Sequence, residues 1–297
     1  MVSAPRAPHA SPGSLAEPLR RSLDRHGAPD GPLALDELAR RLFALTARPA
    51  PGLARRLVAS ALGFGATALP EPLDLQALPR LAAGALAEVE LAAAEWIVVD
   101  LETTGLAPEA STILEIGAVR VAGLRLVERF QTLVDPGVPI PPRITALTGI
   151  DRALVEGAPP LGPALRAFRA WAGAARPFVA HNAGFDERFV RHALARHGLP
   201  GWEGPVVCTR KLARRLLPAL RRYDLDHLCA QFGVTNTARH RALGDAEATA
   251  RALLELLAIG RGEHGLVTLG DLLALQAAPP ARRRRARSAR AAVPAAP

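Results

Sequence analysis

The segment Trp96-Ile97-Val98-Val99-Asp100-Leu101-Glu102-Thr103-Thr104-Gly105-Leu106 constrains this chain more than any other. Trp96 to Val99 form an apolar run with β-branched character, the pattern of a buried strand. The strand is expected over Trp96–Asp100 and closes on two carboxylates, Asp100 and Glu102. Side chains alternate faces along a strand, so Asp100 and Glu102 point the same way. Two acids side by side at the end of a buried strand repel one another, and a divalent cation between them removes the conflict. The apolar residues anchor the acids, and Gly105 lets the chain turn away at once.

The residues after this strand read as mixed α/β. Ile113–Val121 and Val127–Val134 read as two further strands of a meander, separated by a turn at Gly123. Pro136, Pro139, Pro141 and Pro142 then break the pattern. Leu161–Ala172 is predicted as a helix and Phe178–Ala180 as a short buried strand. Phe185, Phe189, Val190, Ala193 and Leu194 mark one face of a helix that ends at Gly198. Val206–Val207 is a last short strand. A helix marked by Leu212, Leu216 and Leu217 stops at Pro218, and one marked by Leu225, Leu228 and Phe232 is capped by Gly233. Ala246, Thr249, Ala250, Leu253, Leu254 and Leu257 line a final long helix.

Composition allows a sizeable core, at 49% hydrophobic residues, but with aromatics at 4% the packing falls to Ala, Leu and Val. The net charge of +9 is unevenly spread. Residues 280–297 hold six Arg and no acid, so +9 less +6 leaves only +3 for the rest. Lys211 is the only lysine, an Arg preference of the kind a GC-rich coding bias produces. Cys208 and Cys229 are the only cysteines and no Cys-x-x-Cys occurs, so neither a structural zinc site nor a disulfide framework is indicated, and a cytoplasmic location is expected. The N-terminus lacks the apolar stretch of a signal peptide. No run of about 18 apolar residues exists, so no membrane span is expected.

Two further blocks accompany the acidic strand. Val179-Ala180-His181-Asn182-Ala183-Gly184-Phe185-Asp186 is a short apolar run, a turn, and an acid opening a helix. His240-Arg241-Ala242-Leu243-Gly244-Asp245-Ala246-Glu247 places a histidine ahead of an acid in the first turn of the last long helix. The three blocks, in this order, resemble the DEDDh (DnaQ-like) 3′–5′ exonucleases, and the likeness covers roughly residues 95–260. The matching positions are Asp100, Glu102, Asp186, His240 and Asp245; Ile144-Thr145-Ala146-Leu147-Thr148-Gly149-Ile150 is similar to the family as well. The resemblance implies a ribonuclease H-like mixed sheet flanked by helices.

It also implies a two-metal hydrolysis of phosphodiester bonds at single-stranded DNA 3′ ends, in proofreading or repair. Hard, oxygen-bound Mg²⁺ or Mn²⁺ suits an all-carboxylate donor set. By resemblance, Asp100 bridges both ions, Glu102 and Asp245 complete one shell, and Asp186 serves the second ion. His240 would be the general base. Thr103, Thr104 and Leu106 would cradle the terminal nucleotide. His181 and Asn182 are read as capping the turn into the Asp186 helix or as touching the substrate backbone. RNA 3′-end trimming is the alternative activity, and a decayed nucleic-acid-binding scaffold the non-enzymatic one. A scaffold predicts a missing carboxylate, and none is missing. DNA is the expected partner, with RNA as the alternative and a DNA polymerase as a candidate protein partner.

Domain boundaries follow from composition. Residues 1–13 and 279–297 read as disordered, the latter an Arg-rich tether for nucleic acid. The resemblance implies an exonuclease unit over residues 95–262, and 263–278 are expected as a C-terminal helix. Residues 14–94 are a small helical region: Leu35, Leu38, Leu42 and Leu45 recur at helical spacing, as do Leu53, Leu57 and Leu62, and Leu75, Leu78, Leu81 and Leu86. It reads as a cap packed on the nuclease, or as a helix-turn-helix-like module, with Arg55 and Arg56 on one of its helices.

Overall fold

The computed structural model describes residues 35–42, 46–62, 87–173 and 175–278. The expected disordered ends and the Leu75–Leu86 helix lie outside these residues. Five strands form one sheet in the order β3-β2-β1-β4-β5. β1 (Trp96–Thr103), β2 (Ile113–Ala122) and β3 (Arg125–Leu133) make an antiparallel meander. β4 (Phe178–Ala180) and β5 (Val206–Cys208) add parallel to β1. The β2–β3 turn is Gly123-Leu124, both with positive φ (55° and 57°), the geometry that suits the right-handed twist of a tight hairpin.

One expectation is corrected here. β1 does not end at Asp100 but runs on to Thr103, with a register shift between Glu102 and Thr103. The ladder with β2 decides this: it supplies backbone partners through Glu115 and Ile113, outweighing the poor strand propensity of the acids. On its other side β1 pairs with β4 only at Ile97 and Val98. The second half of β1 therefore borders a gap.

Helices cover both faces. Behind β1, Trp96 and Val98 pack in a core with α8 (Ala242–His264), α6 (Thr209–Leu216), α7 (Leu225–Phe232) and α9 (Leu269–Ala277). Ile97, Val99 and Leu101 face a second core built with α4 (Leu161–Ala172) and α5 (Gly184–Arg196). Phe168, Phe178 and Phe189 fill its centre. A third small cluster, Leu114, Ile150 and Val155, lies beneath α3 (Pro142–Thr148), a helix that periodicity did not indicate; it opens on Pro142 and ends at Gly149 with φ 70°. The outer edge of β5 is not left open: Gln276 of α9 accepts from the Cys208 amide at 2.6 Å and donates to the Val206 carbonyl at 3.0 Å, taking the place of a neighbouring strand. Ahead of the sheet, α1 (Leu35–Leu42) packs on α2 (Pro51–Leu62), burying Leu35, Leu38, Ala39, Ala54 and Val58. No helix among the described residues is long and apolar enough to cross a membrane.

Candidate functional site

Strand alternation builds the floor of the site. Trp96 and Val98 are buried beneath α8, and Asp100 and Glu102, next on that face, are half-buried. Asp245 stands in the first turn of α8. Carboxylate oxygens of Asp100, Glu102 and Asp245 lie within 4.8 Å of one another. Asp186 arrives from the opposite layer. It is in the first turn of α5, whose Phe189, Val190, Ala193 and Leu194 hold the helix against the other face. β4 stops at Ala180, so Asp186 reaches β1 past its end, where its carboxylate takes hydrogen bonds from the amides of Leu101 and of Asp186 itself. Asp186 is 3% exposed, lies outside the 4.8 Å triplet, and is close enough for its charge to act on Asp100.

These acids resist ionisation. Burial, then the charges of Asp186, Asp245, Glu102 and Glu115, push Asp100 well above the usual carboxylate range. Burial lifts Glu102 to about 7, with Asp245 and Glu115 adding and Arg241 opposing. Burial lifts Asp186 to about 8, against its two backbone hydrogen bonds. Asp245 is also raised by burial, against the bonds it accepts. An all-oxygen donor set whose acids are all pushed above their usual range matches what a hard divalent cation would take up and relieve.

His240 is exposed, on the loop before α8, and its backbone is left-handed with φ 57°. Such a conformation is costly for a residue with a Cβ and is held here by partners. The His240 amide donates to Asp245 Oδ2 at 3.0 Å, and Asn236 Nδ2 donates to Asp245 Oδ1. Asn236 Oδ1 in turn accepts from the Ala238 amide at 3.1 Å. The Asp245 carboxylate thus pins this loop at Asn236 and His240.

Sequence reasoning missed the residues that seat this loop. Glu115 is fully buried on β2, directly across from Glu102. Its oxygens accept from Gln131 Nε2 (2.6 Å), Arg241 Nη2 (2.9 Å), Arg241 Nε (3.0 Å) and the Ala242 amide (3.0 Å). Burial alone would raise its pKa, but these bonds win and lower it. Gly117, one step along the same face, lets α8 touch the sheet: a Cβ there would stand 2.1 Å from the Ala242 carbonyl carbon. The visible sign was a glutamate inside the apolar run Ile113-Leu114-Glu115-Ile116.

The expected substrate-contacting residues divide. Thr103 Oγ1 donates to the Gly105 carbonyl at 2.6 Å, and Thr104 Oγ1 accepts from the Thr112 amide at 2.9 Å, so both hydroxyls brace the turn after β1. Leu106 stands 79% exposed beside them, a large apolar group facing solvent. His181 is enclosed: Nε2–H donates to the Tyr223 carbonyl at 2.9 Å, and Nδ1 accepts from Thr209 Oγ1 at 2.9 Å. Burial depresses its pKa to about 4, so the ring is neutral. Asn182 is exposed with φ 71°, shaping the turn into α5.

The model of the exonuclease family (RNase_T) matches residues 97–253. Among curated proteins, the PolC-type DNA polymerase III of Halalkalibacterium halodurans is 37% identical over 171 residues, 58% of this chain and 12% of that protein. That of Streptococcus thermophilus is 39% identical over 184 residues, 62% of this chain and 12% of that protein. The chain therefore spans about an eighth of the length of these relatives. Escherichia coli exonuclease I, solved in complex with a dT13 oligonucleotide, shares the fold at 16% identity, with a TM-score of 0.50 over 58% of this chain and 42% of that one.

Proposed function

The chain belongs to the exonuclease family, and on that premise we propose that it hydrolyses phosphodiester bonds at the 3′ ends of single-stranded DNA, in proofreading or repair. The observation that carries this reading is the convergence of Asp100, Glu102 and Asp245 from a strand and a helix, with Asp186 alongside from the other layer. These four carboxylates would hold two divalent cations, Mg²⁺ or Mn²⁺. Such cations would supply charge to offset the negative charge that builds on the phosphate and on the leaving 3′ oxygen.

The protein's own groups supply the rest. His240, exposed on the loop before α8, takes the proton of the attacking water as general base. The Asp245 carboxylate fixes its backbone. The Thr103–Leu106 turn receives the terminal nucleotide through backbone groups, with Leu106 against a base. His181 and Asn182 act by shaping the turn that presents Asp186. Residues 95–262 are the proposed exonuclease unit. A DNA polymerase is the proposed protein partner, because the matched relatives are polymerase polypeptides.

The test is a side-by-side digestion of labelled single-stranded DNA, mismatched-primer DNA and short RNA with Mg²⁺, Mn²⁺ or EDTA. Stepwise shortening of DNA from its 3′ end, stopped by EDTA, is expected. No cleavage with either cation overturns the reading, and faster shortening of RNA moves the substrate to RNA.

A further inference from the structure

We propose that the outward face of α6 and the loop after it form a cationic track for the phosphodiester backbone of a single strand, carrying the part that leads away from the terminal nucleotide. The track rests on the exonuclease reading for where the 3′ end lies.

Between Gly204 and Tyr223 lie six of the chain's 37 basic residues and no acid: Arg210, Lys211, Arg214, Arg215, Arg221 and Arg222. Lys211, Arg214, Arg221 and Arg222 are exposed; Arg210 and Arg215 are half-buried, Arg215 Nη2 donating to the Ala278 carbonyl, and the helix buries Thr209, Leu212, Ala213 and Leu216. Elsewhere on the domain some arginines sit against carboxylates, as Arg120 does on Glu128, Arg152 on Asp135 and Arg241 on Glu115, while others such as Arg143 and Arg251 stand singly among the described residues. Among the described residues, only Arg222 of these six has such a partner, Asp224 at 3.1 Å. Arg210 and Arg214 stand one helical turn apart, as do Lys211 and Arg215, about 6 Å of rise. Like charges at that spacing destabilise a helix. A polyanion lying along the face would reverse the sign of that term.

Position points the track at the acids. β1, β4 and β5 run parallel, and Ala180 pairs with Cys208, so their C-terminal ends lie along one edge of the sheet. α6 starts at that edge. Arg210 Nη1 lies 3.4 Å from Asn182 Oδ1, and the buried Arg210 Nε–H has no acceptor among the described residues. His181 ties this corner together through Thr209 and the Tyr223 carbonyl, while the Tyr223 hydroxyl donates to the Leu217 carbonyl at 2.8 Å. The cations are thereby held at a constant offset from the Asp186 turn.

The test compares wild type with the Lys211→Gln, Arg214→Gln, Arg221→Gln variant on two substrates. One is a single strand of about 16 nucleotides, long enough to lie along the face. The other is the p-nitrophenyl ester of thymidine 5′-monophosphate, which occupies the cleavage point alone. Hydrolysis of the ester should be unchanged. KM for the strand should rise about tenfold at low salt with kcat unchanged, and the log–log salt slope should fall by about 2, near 0.7 per lost cation. Equal KM and slope overturn the track. Anisotropy of a labelled strand in EDTA reads the same face without turnover, so an inactive wild type would sink the exonuclease reading and leave the track to be judged by binding. Should the variant fail to fold, wild-type affinity that does not grow with strand length overturns the track. Equal strand affinities with lost binding to poly-glutamate assign the face to an acidic protein, and also overturn it.

Discussion

Asp100 holds the sharpest electrostatic conflict in the protein, with burial and four neighbouring carboxylates all opposing its charge. Replacing it with alanine should abolish exonuclease activity and leave the circular dichroism spectrum unchanged. In chelator the melting temperature should stay level or rise, because one of several crowded acids is gone. Near-wild-type cleavage by this variant at saturating Mg²⁺ would contradict its assigned role. His240 presents the opposite case, an exposed ring on a loop tied down by its own backbone amide. His240→Ala should lower kcat by about 10²–10⁴, the usual cost of a lost general base. Mn²⁺ affinity, followed by calorimetry, should not change; a loss of Mn²⁺ binding would make the histidine a ligand instead.

At the scale of elements, the seating of α8 on β2 determines where Asp245 and the His240 loop sit. The contact is backbone to backbone at Gly117 and charge-assisted at Glu115. Gly117→Ala forces the two apart and should destabilise the protein by about 1–3 kcal/mol in chemical denaturation, with a matching loss of activity. Glu115→Gln keeps the shape and removes the charge that neutralises Arg241. Its activity should fall more than its stability, since Arg241 then competes for Glu102 nearby. A variant with lowered stability and full kcat would make Glu115 a packing residue only.

For the whole molecule, the shifted carboxylates predict how stability varies with pH. Glu102 and Asp186 titrate in the folded state at about 7 and about 8, above their unfolded values near 4. The folded chain then holds the extra protons, so their contribution is present at acid pH and is lost as pH rises through 7 and 8. His181 works the other way, at about 4 when folded; its contribution is complete above about 6.5 and falls away toward 4. Between pH 6.5 and 8.5 the carboxylates dominate. In EDTA the melting temperature should drop across that window, and Mn²⁺ should raise it more at pH 8.5 than at pH 6.5, because the cation favours the ionised acids. A flat or rising melting temperature in EDTA would show that the acids are not crowded.

Most of the elements were legible in the sequence because local rules set them. The period of two in β1 placed Asp100 and Glu102 on one face, apolar faces marked α4, α5 and α7, and Gly233 and Gly123 marked a cap and a turn. Motif order and spacing pointed to the exonuclease family. Long-range facts were not legible. That β1 continues to Thr103 depends on the ladder offered by β2, and that His181 is enclosed depends on the loop around Tyr223 folding back over it. The clamp of Glu115 on Arg241 joins residues far apart in the chain. Asp186 reaches Asp100 from the opposite layer only because β4 is three residues long. Local sequence specifies which way a side chain leaves its own element; which other side chain it meets is decided by how strands end and helices dock, and only the tertiary structure contains that.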